Sequence, residues 1–377
     1  NALAILRDTE PELHLRSVTL TAKDKICLCE TRECTPEACP YANGYYARIK
    51  GALWDVLDVP CLTAETLQEY AERHTVCPFE LGLDSSLWSD VIIGDYNYLF
   101  DPVVHLVRFF ESAGDYIFLV DEAHNLPGRA REMHSAALTK TSFYEAKKLL
   151  GKGKSSLKNA LTKVNDVFIE WRHRAEEETA ARDGRFGKTF FLKERSEEFD
   201  HLLNRLCEPL EAWLDDHREP DETHTALLQL YFDVRAWLRV ADTFDDHFVL
   251  QITASGSEVR AAQLCLDPSA FLADSFALGR AAVLFSATLA PASYYKDLCG
   301  VPEARAVALR SPFPAGNQGL FCIGNVSTRY KDRDASLAIV EESLATMVRA
   351  RCGNYLAFFP SYAYMEQAYA QFKEHCP

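Results

Sequence analysis

The sequence predicts an α/β fold built on a parallel sheet and interrupted by two excursions, and three observations carry that expectation. Short unbroken apolar runs, each followed by an acidic or hydroxyl-bearing turn, recur along the chain; cysteines crowd one stretch near its front; and the middle switches to helical periodicity. At 377 residues the chain has room for two to three domains. Its 48% hydrophobic, 11% aromatic and 25% charged composition is that of a globular protein and excludes disorder and fibre. No apolar run reaches the roughly 18 residues of a membrane span, and Asn1 to Glu10 has neither the basic nor the apolar part of a signal peptide. A cytoplasmic location without membrane contact is therefore expected, with the 12 cysteines as thiols or metal ligands rather than disulfides.

Six of those cysteines, Cys27, Cys29, Cys34, Cys39, Cys61 and Cys77, come first along the chain. Val91 to Ile93 then reads as a short buried strand followed by a turn and a helix start, and Tyr116 to Val120 as a second strand covered on both faces. From Lys140 onward the period becomes helical. Leu157, Leu161, Val164, Phe168 and Trp171 recur at three- and four-residue steps, and so do Phe199, Leu203, Leu206, Leu210, Trp213 and Leu214. Leu227, Leu230, Val234, Trp237 and Ala241 repeat the pattern, so residues 140–246 read as a helical insertion. Phe248 to Ile252 and Glu258 to Leu266 alternate like an antiparallel pair around Ser255 and Gly256. Ala282 to Phe285 and Tyr355 to Phe359 resume the apolar strand pattern.

The sharpest chemical signal is IFLVDEAHN, Ile117 to Asn125. It puts Asp121 and Glu122 at the carboxyl end of a strand, where α/β sheets bind ligands. Two adjacent carboxylates there suit a nucleoside triphosphatase, Asp121 holding Mg²⁺ and Glu122 orienting and deprotonating the attacking water. The bland alternative is an acidic helix start with Asp121 as its cap. A second signal, LFSATLAP (Leu284 to Pro291), offers the Ser286 and Thr288 hydroxyls at another strand end, where they could relay a change at the nucleotide or merely serve a turn. The third is Cys27-x6-Cys34-x4-Cys39-x37-Cys77. Four thiolates can hold an iron-sulphur cluster or zinc. Zinc sites favour two tight pairs, and only Cys34 and Cys39 make one, which favours the cluster; Cys29 could replace Cys27, and Cys61 another member.

Together these residues resemble the XPD-like, DinG-type iron-sulphur DNA helicases of superfamily 2. The likeness runs in order from RSVTLTAKDKIC (Arg16 to Cys27) through CPFELGL, VIIGDYNYLFDP, VDEAHN, FSATLAP and SPFP (Ser311 to Pro314) to GNYLAFFPSYAYME (Gly353 to Glu366). The resemblance implies a RecA-like parallel-sheet motor domain carrying an inserted four-cysteine iron-sulphur domain and an inserted helical arch domain, followed by the start of a second RecA-like domain. On this chain those parts fall at residues 1–26, 78–139 and 247–310 for the first motor, 27–77 for the cluster domain, 140–246 for the arch and 311–377 for the second motor. It implies Cys27, Cys34, Cys39 and Cys77 as [4Fe-4S] ligands and Asp121 and Glu122 as magnesium carboxylate and base. His124, Ser286 and Thr288 would couple ATP hydrolysis to 5′-to-3′ unwinding of DNA.

Net charge is −15, which argues against coating nucleic acid by bulk charge. Yet residues 140–195 hold 14 Lys and Arg against 8 Asp and Glu, a basic island at the opening of the expected arch. Beside the cysteines, Tyr41, Tyr45, Tyr46, Arg48 and Lys50 interleave rings with cations as single-strand channels do, although a tyrosine there could equally pack the small domain. No G-x-x-x-x-G-K-[ST] phosphate loop occurs in this sequence. With the late arginine motifs also missing, the chain reads as the central piece of a helicase, inactive alone. The rival from another class is a non-catalytic, metal-containing nucleic-acid-binding protein derived from a helicase.

Overall fold

Apolar runs of three or four residues cannot bury themselves and must pair with one another. In the computed structural model, which describes residues 2–10, 12–151, 155–181, 188–219, 221–324 and 326–375, they do so as nine strands in three sheets. The strands are β1 (Ser17–Thr19), β2 (Cys61–Leu62), β3 (Val91–Ile93), β4 (Ile117–Val120), β5 (Ala136–Thr139), β6 (Thr189–Leu192), β7 (Phe248–Ser255), β8 (Glu258–Cys265) and β9 (Ala281–Leu284). The chain divides into two units, Asn1–Ala306 and Val307–Pro377.

In the first unit, one parallel sheet has the order β2-β1-β3, and the parallel pair β4-β9 stands as a separate sheet. The helices Tyr45–Val56, Ala64–His74 and Pro78–Ser85 pack with β1 around Val18, Ile26, Ile49, Leu67 and Leu81. The cysteine-rich segment thus shares a core with the first parallel sheet instead of enclosing one of its own. Val120 of β4 belongs to another core, with Phe100, Leu126, Leu272 and Phe276.

The expectation that the parallel strands are covered on both faces is not met. Register pairs Leu119 with Val283 and Val120 with Leu284. Val120 is buried in the core, whereas Leu119 is 68% and Val283 51% exposed. Each of these two strands has one neighbour, and helices cover one face alone. Ile92 and Ile93 of β3 are likewise exposed.

The largest core is helical, as the three- and four-residue steps require. Leu161, Val164, Phe168, Phe199, Leu203, Leu227, Val234 and Trp237 all face it from the helices Ser156–Ala181, Glu197–Asp216 and Glu222–Asp242. Burying each large side chain of this set contributes about 1.5–3 kcal/mol. Inside it, Trp237 Nε1 donates to Asp200 Oδ1 at 2.8 Å. The region is not purely helical, however. Strand β6 falls within 140–246 and completes an antiparallel sheet of order β5-β8-β7-β6. Phe248, Leu250, Ile252 and Ala254 turn every second side chain of β7 into the helical core. The β7-β8 hairpin, expected in the parallel-sheet part, therefore packs with the helices.

In the second unit the helices Arg333–Ala350 and Tyr362–His375 enclose a small core of Leu337, Tyr364 and Ala368. Tyr355 to Phe359 does not form the expected strand. No strand forms among the described residues of this unit, so the run has no edge to pair with, and Leu356 and Phe358 lie exposed.

Candidate functional site

Two parallel strands that pair in register end together, so the residues following them meet. The ladder continues one step past both strands: Phe285 N donates to Val120 O at 3.0 Å and Ala123 N to Phe285 O at 3.1 Å. Asp121 and Glu122 leave β4 at its carboxyl end with exposed side chains, and Ser286 and Thr288 leave β9 beside them. Glu122 has φ 47° and ψ 39°, the left-handed region, at a cost of about 1–2 kcal/mol for a residue with a Cβ. The turn continues through Ala123–Asn125 into the helix Leu126–Met133, whose first turn carries Pro127.

The side chains form a connected network across 162 residues of sequence. His124 Nδ1 lies 2.8 Å from Ser286 Oγ and 3.1 Å from Glu122 Oε2. Ser286 Oγ donates to Glu122 Oε2 at 3.3 Å and accepts from the Thr288 amide at 3.2 Å, with Thr288 Oγ1 3.4 Å away. One assignment satisfies these contacts together: Nδ1 of His124 carries the proton and the Ser286 hydroxyl points at the carboxylate. Asp121 Oδ1 accepts the Glu122 amide at 2.7 Å, which leaves its other oxygen outside that bond. An exposed carboxylate with an oxygen to spare fits a hydrated magnesium ion. The network joins a negative group to two strand ends, so a change at Glu122 reaches β9 through a ring and a hydroxyl.

Sequence reasoning assigned no role to Tyr96. Its hydroxyl, three residues beyond β3, donates to the backbone carbonyls of Asp121 and Glu122, the latter at 3.0 Å. The motif VIIGDYNYLFDP marked the segment without revealing this, because nothing in a sequence says which distant carbonyl a phenol reaches.

The cysteine segment brings some of its thiols together. Cys29 and Cys39 approach to 3.9 Å between sulphurs. Burial, followed by the Cys39 and Cys27 thiols beside it, pushes the Cys29 thiol up to about 11. Cys34 sits exposed, and Cys77 is half-buried before the helix Pro78–Ser85, its thiol pushed up by burial. Cys27, Cys34, Cys39 and Cys77 are thus not gathered into a cage. Among the described residues, no group of three or more His, Cys, Asp or Glu is placed to hold a metal. The physical reason is local: no regular element lies between the helices Lys23–Ile26 and Tyr45–Val56, so nothing in the backbone aims Cys34 at the other sulphurs. The thiolate chemistry of these residues suits a cluster or zinc.

The rings and cations beside the cysteines separate into two kinds. Tyr45 is 8% exposed and its hydroxyl donates to Asp84 Oδ2 at 2.9 Å, with burial as the main cause holding the phenol protonated. Its ring therefore packs the core and is not free to stack on a base, a correction to its expected part in DNA binding. Arg48 also turns inward: its Nε and Nη2 donate to Thr75 O, at 2.9 Å for Nε, and Nη2 to Pro40 O at 3.1 Å and to Asn43 O. It fastens the cysteine loop to the end of the helix Ala64–His74. Gly44, at φ +66° before the helix Tyr45–Val56, allows this, since a Cβ there would stand 2.8 Å from Arg48 Nη1. Tyr46, 88% exposed, and Lys50 remain on the surface.

No described helix is long and apolar enough to cross a membrane. The DEAD_2 family profile matches residues 11–143. The chain is 25% identical over 376 aligned positions to the general transcription and DNA repair factor IIH helicase subunit XPD of Schizosaccharomyces pombe, covering 81% of this chain and 48% of that protein. It is 23% identical to the subunit XPD/RAD3 of Saccharomyces cerevisiae, covering 89% of this chain and 52% of the relative. It spans about half the length of these two relatives. A solved XPD helicase superposes with a TM-score of 0.52 over 98% of this chain and 64% of its own, at 18% identity, which shows a shared fold.

Proposed function

From the chain's similarity to the XPD helicase subunits and the DEAD_2 family profile, we propose that it belongs to the XPD-like superfamily 2 helicases and forms the central part of an ATP-dependent DNA helicase that translocates 5′ to 3′. The observation that carries this reading is the hydrogen-bonded connection from Glu122 through His124 to Ser286 at the ends of two paired strands. A carboxylate that needs only to turn water into a nucleophile sits where a nucleotide's terminal phosphate is held in α/β sheets. Asp121 would hold Mg²⁺, which neutralises charge developing on the transferring phosphate. Glu122 orients and deprotonates the attacking water, and His124 and Ser286 hold the carboxylate at that position. Loss of the phosphate on hydrolysis shifts the load on Glu122, and Ser286 and Thr288 transmit the change to the segment after β9. The apolar face left bare on β4 and β9 fits a covering layer of helices.

In the same reading residues 27–77 carry an iron-sulphur cluster on Cys27, Cys34, Cys39 and Cys77, with Cys29 as the alternative to Cys27. Its role is structural and no step passes through it. Residues 140–246 form an arch together with the β7-β8 hairpin, residues 311–377 begin the second motor domain, and single-stranded DNA meets Tyr46 and Lys50. Tyr46 and Lys50 support this because both are exposed, and neither is drawn into the core as Tyr45 is.

The test is Glu122→Gln in the full-length protein. Nucleotide binding should persist while DNA-stimulated ATP hydrolysis falls about 10²- to 10⁴-fold. Unchanged turnover excludes Glu122 as the base. This chain on its own should show no ATPase, and DNA-stimulated turnover by it would overturn that part of the reading.

A further inference from the structure

Glu122 occupies a backbone region that residues with a Cβ avoid, and something must hold it there. Its carboxylate contacts cannot: they fix the side chain, whereas the conformation belongs to the peptides on either side. Those peptides have one shared partner. The Tyr96 hydroxyl donates to the carbonyl oxygens of both Asp121 and Glu122. Tyr96 is itself anchored, its ring edge-on to Phe100 at 6.3 Å between centroids and Phe100 edge-on to Phe276 at 5.4 Å. It also follows β3, which belongs to the other parallel sheet, so the contact ties the two sheets together at the strand ends.

We infer that Tyr96 is a positioning residue that clamps the Asp121-Glu122 peptides, holding Glu122 in the left-handed conformation that aims its carboxylate at His124 and Ser286. Burial, reinforced by the neighbouring Asp121 and Glu122 charges, raises the phenol above its ordinary value and keeps it a donor. Releasing the clamp lets Glu122 relax towards the right-handed region and swings its carboxylate away from the network. The consequence for turnover rests on the helicase reading; the clamp itself does not.

Tyr96→Phe tests it, since the ring and its packing on Phe100 are kept and the hydroxyl alone is lost. Hydrogen exchange is measured in this chain at the Ala123 amide, which bonds Phe285 O across the strand ends. Exchange there should rise about five- to tenfold while the helical core around Phe168 is unchanged. In the full-length protein kcat for ATP, expressed per nucleotide-binding site counted by titration, should fall about 10- to 100-fold with KM within about twofold; counting sites separates this from loss of folded protein, which lowers Vmax at the same KM. Unaltered exchange at Ala123 overturns the clamp. Raised exchange with unaltered kcat overturns the positioning role. A parent protein without ATPase activity refutes the helicase reading instead, and the exchange measurement still decides the clamp.

Discussion

The junction between β4 and β9 rests on a contact whose strength can be isolated. His124 Nδ1 and Ser286 Oγ stand 2.8 Å apart, closer than the side-chain contacts either makes with Glu122 or Thr288. An intramolecular hydrogen bond of this kind is worth about 1 ± 0.5 kcal/mol net. The His124 side chain is 31% exposed, so water competes for the ring, and Ser286 keeps Glu122 and Thr288 as partners when the ring is removed. Both facts pull the interaction towards about 0.5–1 kcal/mol, a two- to fivefold change in a local opening constant. The perturbation is a double-mutant cycle of His124→Ala, Ser286→Ala and the pair. The assay is native-state hydrogen exchange at Ala123 and Phe285, whose amides cross the junction at 3.1 and 3.0 Å. The two single variants should cost more together than the double variant costs, by that interaction energy. Additivity to within about 0.3 kcal/mol would mean that the two side chains open independently, and the coupling assigned to this pair would be refuted.

The remaining expectations concern the cysteines and the exposed ring. Anaerobically purified protein should be brown, and Cys34→Ser or Cys77→Ser should bleach it; colourless protein with stoichiometric zinc would replace the cluster with a zinc site. Tyr46→Ala in the full-length protein should weaken single-stranded DNA binding by about 1–3 kcal/mol in an anisotropy titration, the worth of one stacked base. Lys50→Ala should reduce the salt slope of binding by about 0.7. Tyr45→Phe should leave DNA affinity as it is and lower thermal stability by about 0.5–1.5 kcal/mol, through loss of its bond to Asp84. A Tyr45→Phe variant with weakened DNA binding and unchanged stability would reverse the assignment of the two tyrosines.

Periodicity and local motifs reached far in this chain because they report properties that neighbours in sequence already share. The stripes from Leu157 to Trp171, Phe199 to Leu210 and Leu227 to Trp237 face one core, since a helix turns every third or fourth side chain the same way whatever it packs against. Asp121 and Glu122 fall at a strand's end for an equally local reason: an apolar run stops where charge begins. Tyr355 to Phe359 failed as a strand although its composition is right, because a strand is a pairing and the described residues of its unit offer no partner edge.

What the amino-acid order settled by itself was therefore which residues of the helical stripes face inward and which end a strand. Only the folded chain decided which of two adjacent tyrosines is buried, that Arg48 reaches the Thr75 carbonyl, that β6 joins the β7-β8 hairpin, and that Tyr96 holds the peptides of Asp121 and Glu122. Each of those outcomes is a contact between segments about 25 or more residues apart or a choice between neighbours of the same chemistry. Local preferences are equal for both alternatives there, and the packing free energy of the whole core makes the difference.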